Sequence, residues 1–436
     1  MKLSDKLENL NSYPFHMPGH KRNDEFNIIG SDIDITEIDG YDNLHYPSGV
    51  IYELEQDIAK LFGYQKSIIS VNGSTCAILS AICAVCSKGD KIIIARNCHK
   101  SVYNACFLME LEVAYIEPEF DEDLGVYGKI DKKNVDTIIK ANQDAKAVVI
   151  TSPTYEGIIS HIDCQIPLII DCAHGAHFGF AQWLPSRPNG DIVIQSLHKT
   201  LLCLTQTAVI HINNPKYFDR VKIYMDIFET SSPSYILLNS VDKCVDFLKN
   251  SENAFHNYKA LLDYFYSKVN MLQHITIHKN DDITRLIISA KGYSGTELSE
   301  HLRKHGIEPE GATLNFVILI STVADTKAGF DLLYRALADL DSRNENVQFS
   351  KKIQIPQKDC KASEVLKTQT TKLCESTGKI CGEYIFAYPP DIPIIVPGER
   401  ITQEVIDCIT ICIKKGVNII SDSNLLPNSI LTKTEL

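Results

Sequence analysis

The chain of 436 residues has no apolar run approaching the roughly 18 residues that a membrane-spanning helix requires. Its first residues, Met1-Lys-Leu-Ser-Asp-Lys-Leu-Glu8, lack an apolar stretch behind their positive charges, so no secretory signal is expected and a cytoplasmic location follows as the default. Positive charge is also in deficit. Lys and Arg number 43 against 55 Asp and Glu, and a net charge of −12 argues against a protein that binds nucleic acid by neutralising phosphates. Glycine (22) and proline (17) are too few for a collagenous or low-complexity chain, and no internal repeat is present. Cysteine is not scarce, at fourteen, but without a secretory signal reduced thiols are expected rather than a disulfide framework. Cys83 and Cys86 lie in an apolar helical run with no second pair at metal spacing, and Cys408 and Cys412 lie one helical turn apart in another, so burial is expected for both pairs.

What is present is an alternation of short β-rich runs with helical stretches between about 65 and 211. Strands are expected at 67–71, 91–95, 113–116, 147–150, 168–171, 191–195 and 208–211. Most are apolar throughout, as parallel strands covered by helices on both faces are, which gives an α/β fold with a large, mostly parallel sheet. A second, smaller α/β portion follows, with strands near 284–288 and 315–320, and a last portion around 380–420 ends in an apolar helix and strand. The expected division is an amino-terminal arm over 1–50, a large cofactor-binding domain over 51–250, a small α/β domain over 251–345 and a carboxyl-terminal portion over 346–436.

The candidate chemistry sits at the carboxyl ends of these strands, where ligands bind in open α/β sheets. The run Asp191-Ile-Val-Ile-Gln-Ser-Leu-His-Lys-Thr200 presents Ser196, His198 and Lys199. A lysine there is either a solvated turn residue or an amine used covalently with an aldehyde. The run Pro167-Leu-Ile-Ile-Asp-Cys-Ala-His-Gly-Ala-His177 ends another strand with Asp171, which is either a cap or a functional acid. An acid and an amine on two strand ends suit pyridoxal phosphate catalysis, in which a lysine holds the cofactor aldehyde and a carboxylate keeps the pyridine nitrogen protonated. His174 and His177 lack a third ligand at a recognised spacing, so no metal is expected. Gly73, Ser74 and Thr75 stand where a strand hands over to a helix and can cradle a phosphate, although helix caps use the same residues. His99 opens another helix, as a capping residue or as a flat ring stacked on a cofactor, and Thr154 follows the strand at 147–150.

In this order, Asn72-Gly-Ser-Thr75, Arg96-Asn-Cys-His-Lys-Ser101, Thr151-Ser-Pro-Thr-Tyr-Glu-Gly157, Asp171-Cys-Ala-His-Gly-Ala-His-Phe178 and Gln195-Ser-Leu-His-Lys-Thr200 resemble the ornithine, lysine and arginine decarboxylases of the aspartate-aminotransferase fold. Phe15-His-Met-Pro-Gly-His-Lys21, Asp34-Ile-Thr-Glu37, Phe228-Glu-Thr-Ser-Ser-Pro-Ser-Tyr235, Tyr388-Pro-Pro390 and Ile395-Val-Pro-Gly-Glu399 extend the likeness over residues 15 to about 400. Because the motifs begin at residue 15, the chain resembles the short members that lack an amino-terminal wing. The resemblance implies that pyridoxal 5'-phosphate is held by Lys199, with Asp171 on the ring nitrogen, His99 and Ala173 on the ring faces, Ser74, Thr75 and Ser196 at the phosphate, and His198 beside the cofactor. From their positions alone, Gly73 would let the backbone approach the phosphate and Thr154 would hydrogen-bond the ring or its phenolic oxygen. It also implies a homodimer in which Glu229, Thr230, Ser231 and Ser232 of a partner chain complete the site. Glu383, Asp391 and Glu399 are the candidate acids for the distal cation of a basic amino acid substrate. Cys172 stands where many members have Glu, and Asp391 where they usually have Gly. The expected reaction is decarboxylation of arginine, lysine or ornithine to the corresponding polyamine-pathway amine, with an aminotransferase or another α-carbon lyase of the same fold as the alternative.

Overall fold

The computed structural model describes residues 2–341, 343, 352, 354–388 and 392–434, and the side chain of Tyr388 is not among what it describes. The chain divides into two compact units, Met1–Val85 with Pro167–His256, and Cys86–Ile166 with Asn257–Leu436.

In the first unit four strands lie in the order Lys66–Ser70, Ala208–Ile212, Ile192–Gln195 and Leu168–Asp171. The last two pair in parallel, with Asp171 opposite Ile194. Every residue of both is buried, which explains why their sequences are apolar without alternation. Ala208–Ile212 departs from the expected direction, running antiparallel to both of its neighbours. The reason lies in its connection. Residues 196–207 contain a single helical turn, Leu197–Thr200, which is too short to cross the sheet and bring the chain back in parallel. The helix Gly73–Val85 buries eight of its residues, Cys83 among them, and Cys86 just beyond it is fully buried too. A helix apolar on all sides belongs inside. The helix Val50–Phe62 is instead two-faced, packing Ile51, Leu54, Ile58 and Phe62 inward and turning Tyr52 and Glu53 out.

In the second unit Lys91–Ala95 pairs in parallel with both Glu112–Ile116 and Val148–Thr151. A four-stranded antiparallel sheet follows, in the order Ile275–His278, Arg285–Ala290, Val317–Ile320 and Gly311–Ala312, with the helices Gly295–Lys304 and Lys327–Ala338. The carboxyl-terminal part centres on Ile385–Tyr388, flanked by Ile392–Ile395 and Asn418–Ser421. The helix Gln403–Lys414 adds Val405, Ile406 and Ile409 to a core with Ile385, Ile395 and Ile430. Cys412 is buried and Cys408 half-buried, and all fourteen cysteines are free of disulfides. Among the described residues no helix is long and apolar enough to cross a membrane.

One acid is buried beneath the sheet of the first unit. Glu55 on Val50–Phe62 is 5% exposed and accepts the Ile69 N–H at 3.0 Å. Burial pushes its carboxyl from 4.5 up to about 8. A folded-state value above the unfolded one gives stability that is complete below about pH 4.5 and drains away as pH rises towards about 8. Glu55→Gln keeps the acceptor and cannot ionise, so the loss of urea resistance between about pH 5 and about pH 8 should be shallower in the variant. An equally steep decline would mean that Glu55 is not its source.

Candidate active site

Because Leu168–Asp171 and Ile192–Gln195 are parallel and in register, both leave their last buried residues at one end, and the polar residues that follow collect there. Asp171 is 3% exposed, and its Oδ1 accepts the Ala173 N–H at 3.1 Å. Lys199, half-buried on the single turn after Ser196, donates from Nζ to His174 Nε2 at 3.0 Å. Ser196 Oγ donates to Ser74 Oγ at 2.9 Å, so the turn after one strand touches the amino terminus of Gly73–Val85. Gly73 makes that start possible. Its φ of +75° is one that L side chains rarely adopt, and its N–H bonds Gln206 O at 2.8 Å. Thr75 is exposed beside it.

A hydrogen-bonded chain supports the Asp171 end from behind. Ser67 Oγ meets His211 Nδ1 at 2.7 Å, His211 Nε2 meets Gln195 Oε1 at 3.0 Å, and Gln195 Nε2 donates to Gly175 O at 3.0 Å. With the Gln195 amide donating to Gly175, its oxygen faces the imidazole, so His211 carries its proton on Nε2 and accepts from Ser67 on Nδ1. Burial pushes His211 down to about 3, which keeps it neutral, and the Tyr64 ring stacks on it at 4.2 Å. Gly175 has no room for a side chain, since a Cβ would lie 2.5 Å from Cys172 Sγ. His198 Nδ1 donates to Thr207 O at 2.8 Å, and burial lowers its pKa, with the charge of Lys199 acting in the same direction. His174 and His177 are both buried.

In the second unit His99 caps the helix Lys100–Leu108, its Nδ1 accepting the Ser101 N–H at 3.2 Å. Thr154 is buried and its N–H bonds Ile158 O at 2.8 Å. Among the described residues one group could gather a metal ion, His301, His305 and Asp339, and it includes neither His174 nor His177.

Two of the three acids expected to hold a substrate cation have hydrogen-bond partners within their own unit. Glu383 is 1% exposed and accepts the N–H groups of Ser423 at 2.9 Å and Leu431 at 2.6 Å, tying two carboxyl-terminal segments together. Glu399 is fully buried opposite Arg96. Nη2 donates to Oε2 at 3.0 Å, and Nη1 lies 3.0 Å from Oε1 without hydrogen-bond alignment. Burial pushes the Glu399 carboxyl up, and the Arg96 guanidinium opposes that shift. Arg96 lies 303 residues away in sequence, so no local signal marked it as the partner. Asp391 lies outside the described residues. Glu229, expected to serve a partner chain, has its side chain buried within its own unit, where Oε1 accepts from Val71 N, Ser70 Oγ and Asn72 N. Thr230, Ser231 and Ser232 beside it are exposed.

An amine, a buried carboxylate and a helix amino terminus with paired hydroxyls form a donor set able to hold a phosphate-bearing aldehyde. A family profile described as Orn/Lys/Arg decarboxylase, major domain, matches residues 3–257, and its companion for the C-terminal domain matches 343–415. The YaaO protein of Bacillus subtilis is 32% identical over 437 residues, covering 90% of each chain. An arginine decarboxylase of Halalkalibacterium halodurans is 31% identical over 435 residues, covering 90% of this chain and 89% of that one. Among solved structures, the Francisella novicida lysine decarboxylase superposes with a TM-score of 0.84 at 19% identity, over 99% of this chain and 80% of that one.

The buried pair of the second unit yields a stability prediction. Glu399→Ala leaves the Arg96 guanidinium buried without its carboxylate and should cost about 3–5 kcal/mol in guanidinium denaturation. A loss below about 1 kcal/mol would show that the pair is not maintained in solution.

Proposed function

Since the chain belongs to the Orn/Lys/Arg decarboxylase family, we propose that it is a pyridoxal-phosphate-dependent decarboxylase of a basic amino acid, with arginine as the first candidate and lysine next. The observation that carries this reading is the meeting of Lys199, Asp171 and the Ser74–Ser196 hydroxyl pair at the ends of two parallel strands. These residues fit the cofactor. Lys199 would hold its aldehyde carbon, Asp171 its ring nitrogen, and Gly73, Ser74, Thr75 and Ser196 its phosphate. Once bound, the cofactor supplies an electron sink for the pair released when the α-carboxylate leaves as carbon dioxide. The protein's part is positioning and proton placement. Asp171, buried at a strand end, favours a cation opposite it. The single turn Leu197–Thr200 fixes Lys199 beside His174, and His198, its Nδ1 proton committed to Thr207, presents Nε2 as an acceptor. The ring contact of Ala173 is carried over from the family resemblance, whereas His99 is proposed also from its place at a helix start and Thr154 from its place after a strand end.

The ranking of substrates rests on the arginine decarboxylase at 31% identity, against the lysine decarboxylase likeness at 19%. A guanidinium asks for a planar two-point acid and an ammonium for a compact one, so mismatch of the distal group should discriminate strongly. Incubating purified protein separately with arginine, lysine and ornithine, while measuring carbon dioxide and identifying the amine, tests this reading. Agmatine is the expected product and Lys199→Ala should abolish it. Cadaverine or putrescine would reassign the substrate, and keto acid without carbon dioxide would point to an aminotransferase instead.

The same reading includes a cytoplasmic homodimer. Fourteen cysteines without a disulfide suit a reducing compartment. The amino-terminal segment exposes the large apolar side chains of Tyr13, Phe15, Met17, Phe26 and Ile29, which a partner chain could cover. The exposed Thr230, Ser231 and Ser232 are the residues proposed to reach the partner's site. Mixing Lys199→Ala chains with chains carrying Ser231→Ala and Ser232→Ala should restore part of the activity, because one hybrid site is then intact. No recovery after demonstrated subunit exchange between two inactive parents would contradict sharing.

A further inference from the structure

We propose that Glu229 is the positioning residue of the phosphate-binding turn in its own chain, an inference that rests on the cofactor reading above. The turn from Ser70 to Gly73 links the strand Lys66–Ser70 to the helix Gly73–Val85, whose amino terminus would receive the phosphate. Turns of this kind hold an anion only if their N–H groups are aimed before the ligand arrives, and the first residues of the turn must therefore be anchored from behind.

One oxygen accepts three of the bonds that do this. Glu229 Oε1 accepts the Val71 N–H at 2.6 Å, the Ser70 hydroxyl at 3.0 Å and the Asn72 N–H at 3.1 Å. The Asn72 amide adds a bond to Phe228 O at 3.3 Å. From the other side Gln206 holds the turn, through its carbonyl to Gly73 N at 2.8 Å and its amide to Asn72 Oδ1 at 3.4 Å. Glu229 is itself held at the end of Phe218–Phe228, its N–H bonded to Met225 O at 2.9 Å, and it is 7% exposed. The next residue is tied down as well, with His45 Nε2 meeting Thr230 O at 2.7 Å.

All three bonds from the turn to Glu229 converge on a single acceptor atom, so an uncharged acceptor at that place could make the same bonds. A full carboxylate near a phosphate dianion would weaken its binding by repulsion. Burial pushes the Glu229 carboxyl up, disfavouring its charged form, while the hydrogen bonds it accepts pull the other way. A glutamine offers the same oxygen at the same reach without the charge.

The test is a titration of cofactor-free protein with pyridoxal phosphate, followed by its visible absorption, together with substrate KM measured at saturating cofactor. Glu229→Ala should weaken cofactor binding by about tenfold or more while leaving KM near the wild-type value. Glu229→Gln should bind the cofactor within about twofold of wild type or more tightly. Should the alanine chain fail to fold, Glu229→Asp, too short to reach the turn, replaces it in the comparison. Wild-type affinity in the alanine or aspartate variant, or a glutamine variant as weak as either, would overturn the inference while leaving the decarboxylase reading intact. A wild-type chain that takes up no pyridoxal phosphate would overturn both.

Discussion

The parallel pairing of Leu168–Asp171 with Ile192–Gln195 is the constraint on which the candidate site depends. Both strands are buried along their whole length, and neither can carry a polar group until it emerges. Their register places Asp171 opposite Ile194, so the acid ends one strand where Gln195 and Ser196 follow on the other. The turn after Ser196 then delivers Lys199 to His174. Had the strands slipped by one residue, Asp171 would face the opposite side of the sheet and the amine would lose its neighbour.

Ser67, His211 and Gln195 form one connected hydrogen-bonded set behind this end. His211 is neutral and bonded at both nitrogens, and through Gln195 it fixes the carbonyl of Gly175, a position where even a methyl group would strike Cys172. The second unit solves a comparable problem with charge, by placing Arg96 against Glu399 and stacking it at 5.0 Å from the Tyr115 ring. Such a pair is expensive to bury and more expensive to break, which favours a single arrangement of the segments that carry its two members.

The seven principal strands and the polar residues at their ends were legible because apolar runs of that length, ended by Asp or by Ser-x-His-Lys, have few other ways to fold. Strand direction was not. An apolar strand reads the same in either orientation, and only the shortness of the 196–207 connection turns Ala208–Ile212 around. The strand Thr368–Lys372 escaped notice for a different reason, since it is polar and mostly exposed and shows no hydrophobic period. The acids were the hardest to read. Glu383, Glu399 and Glu229 are each bonded to groups between 40 and 303 residues away, and whether a carboxylate meets a substrate, a guanidinium or a backbone turn depends on those distant partners.

The central claim is that Lys199 holds the cofactor covalently. Borohydride reduction of the pyridoxal-phosphate-loaded protein, followed by proteolysis and mass mapping, tests it most directly. A single modified peptide carrying the pyridoxyl group on Lys199 is expected. A label on another lysine, or no stable label in protein that has taken up the cofactor, would contradict it.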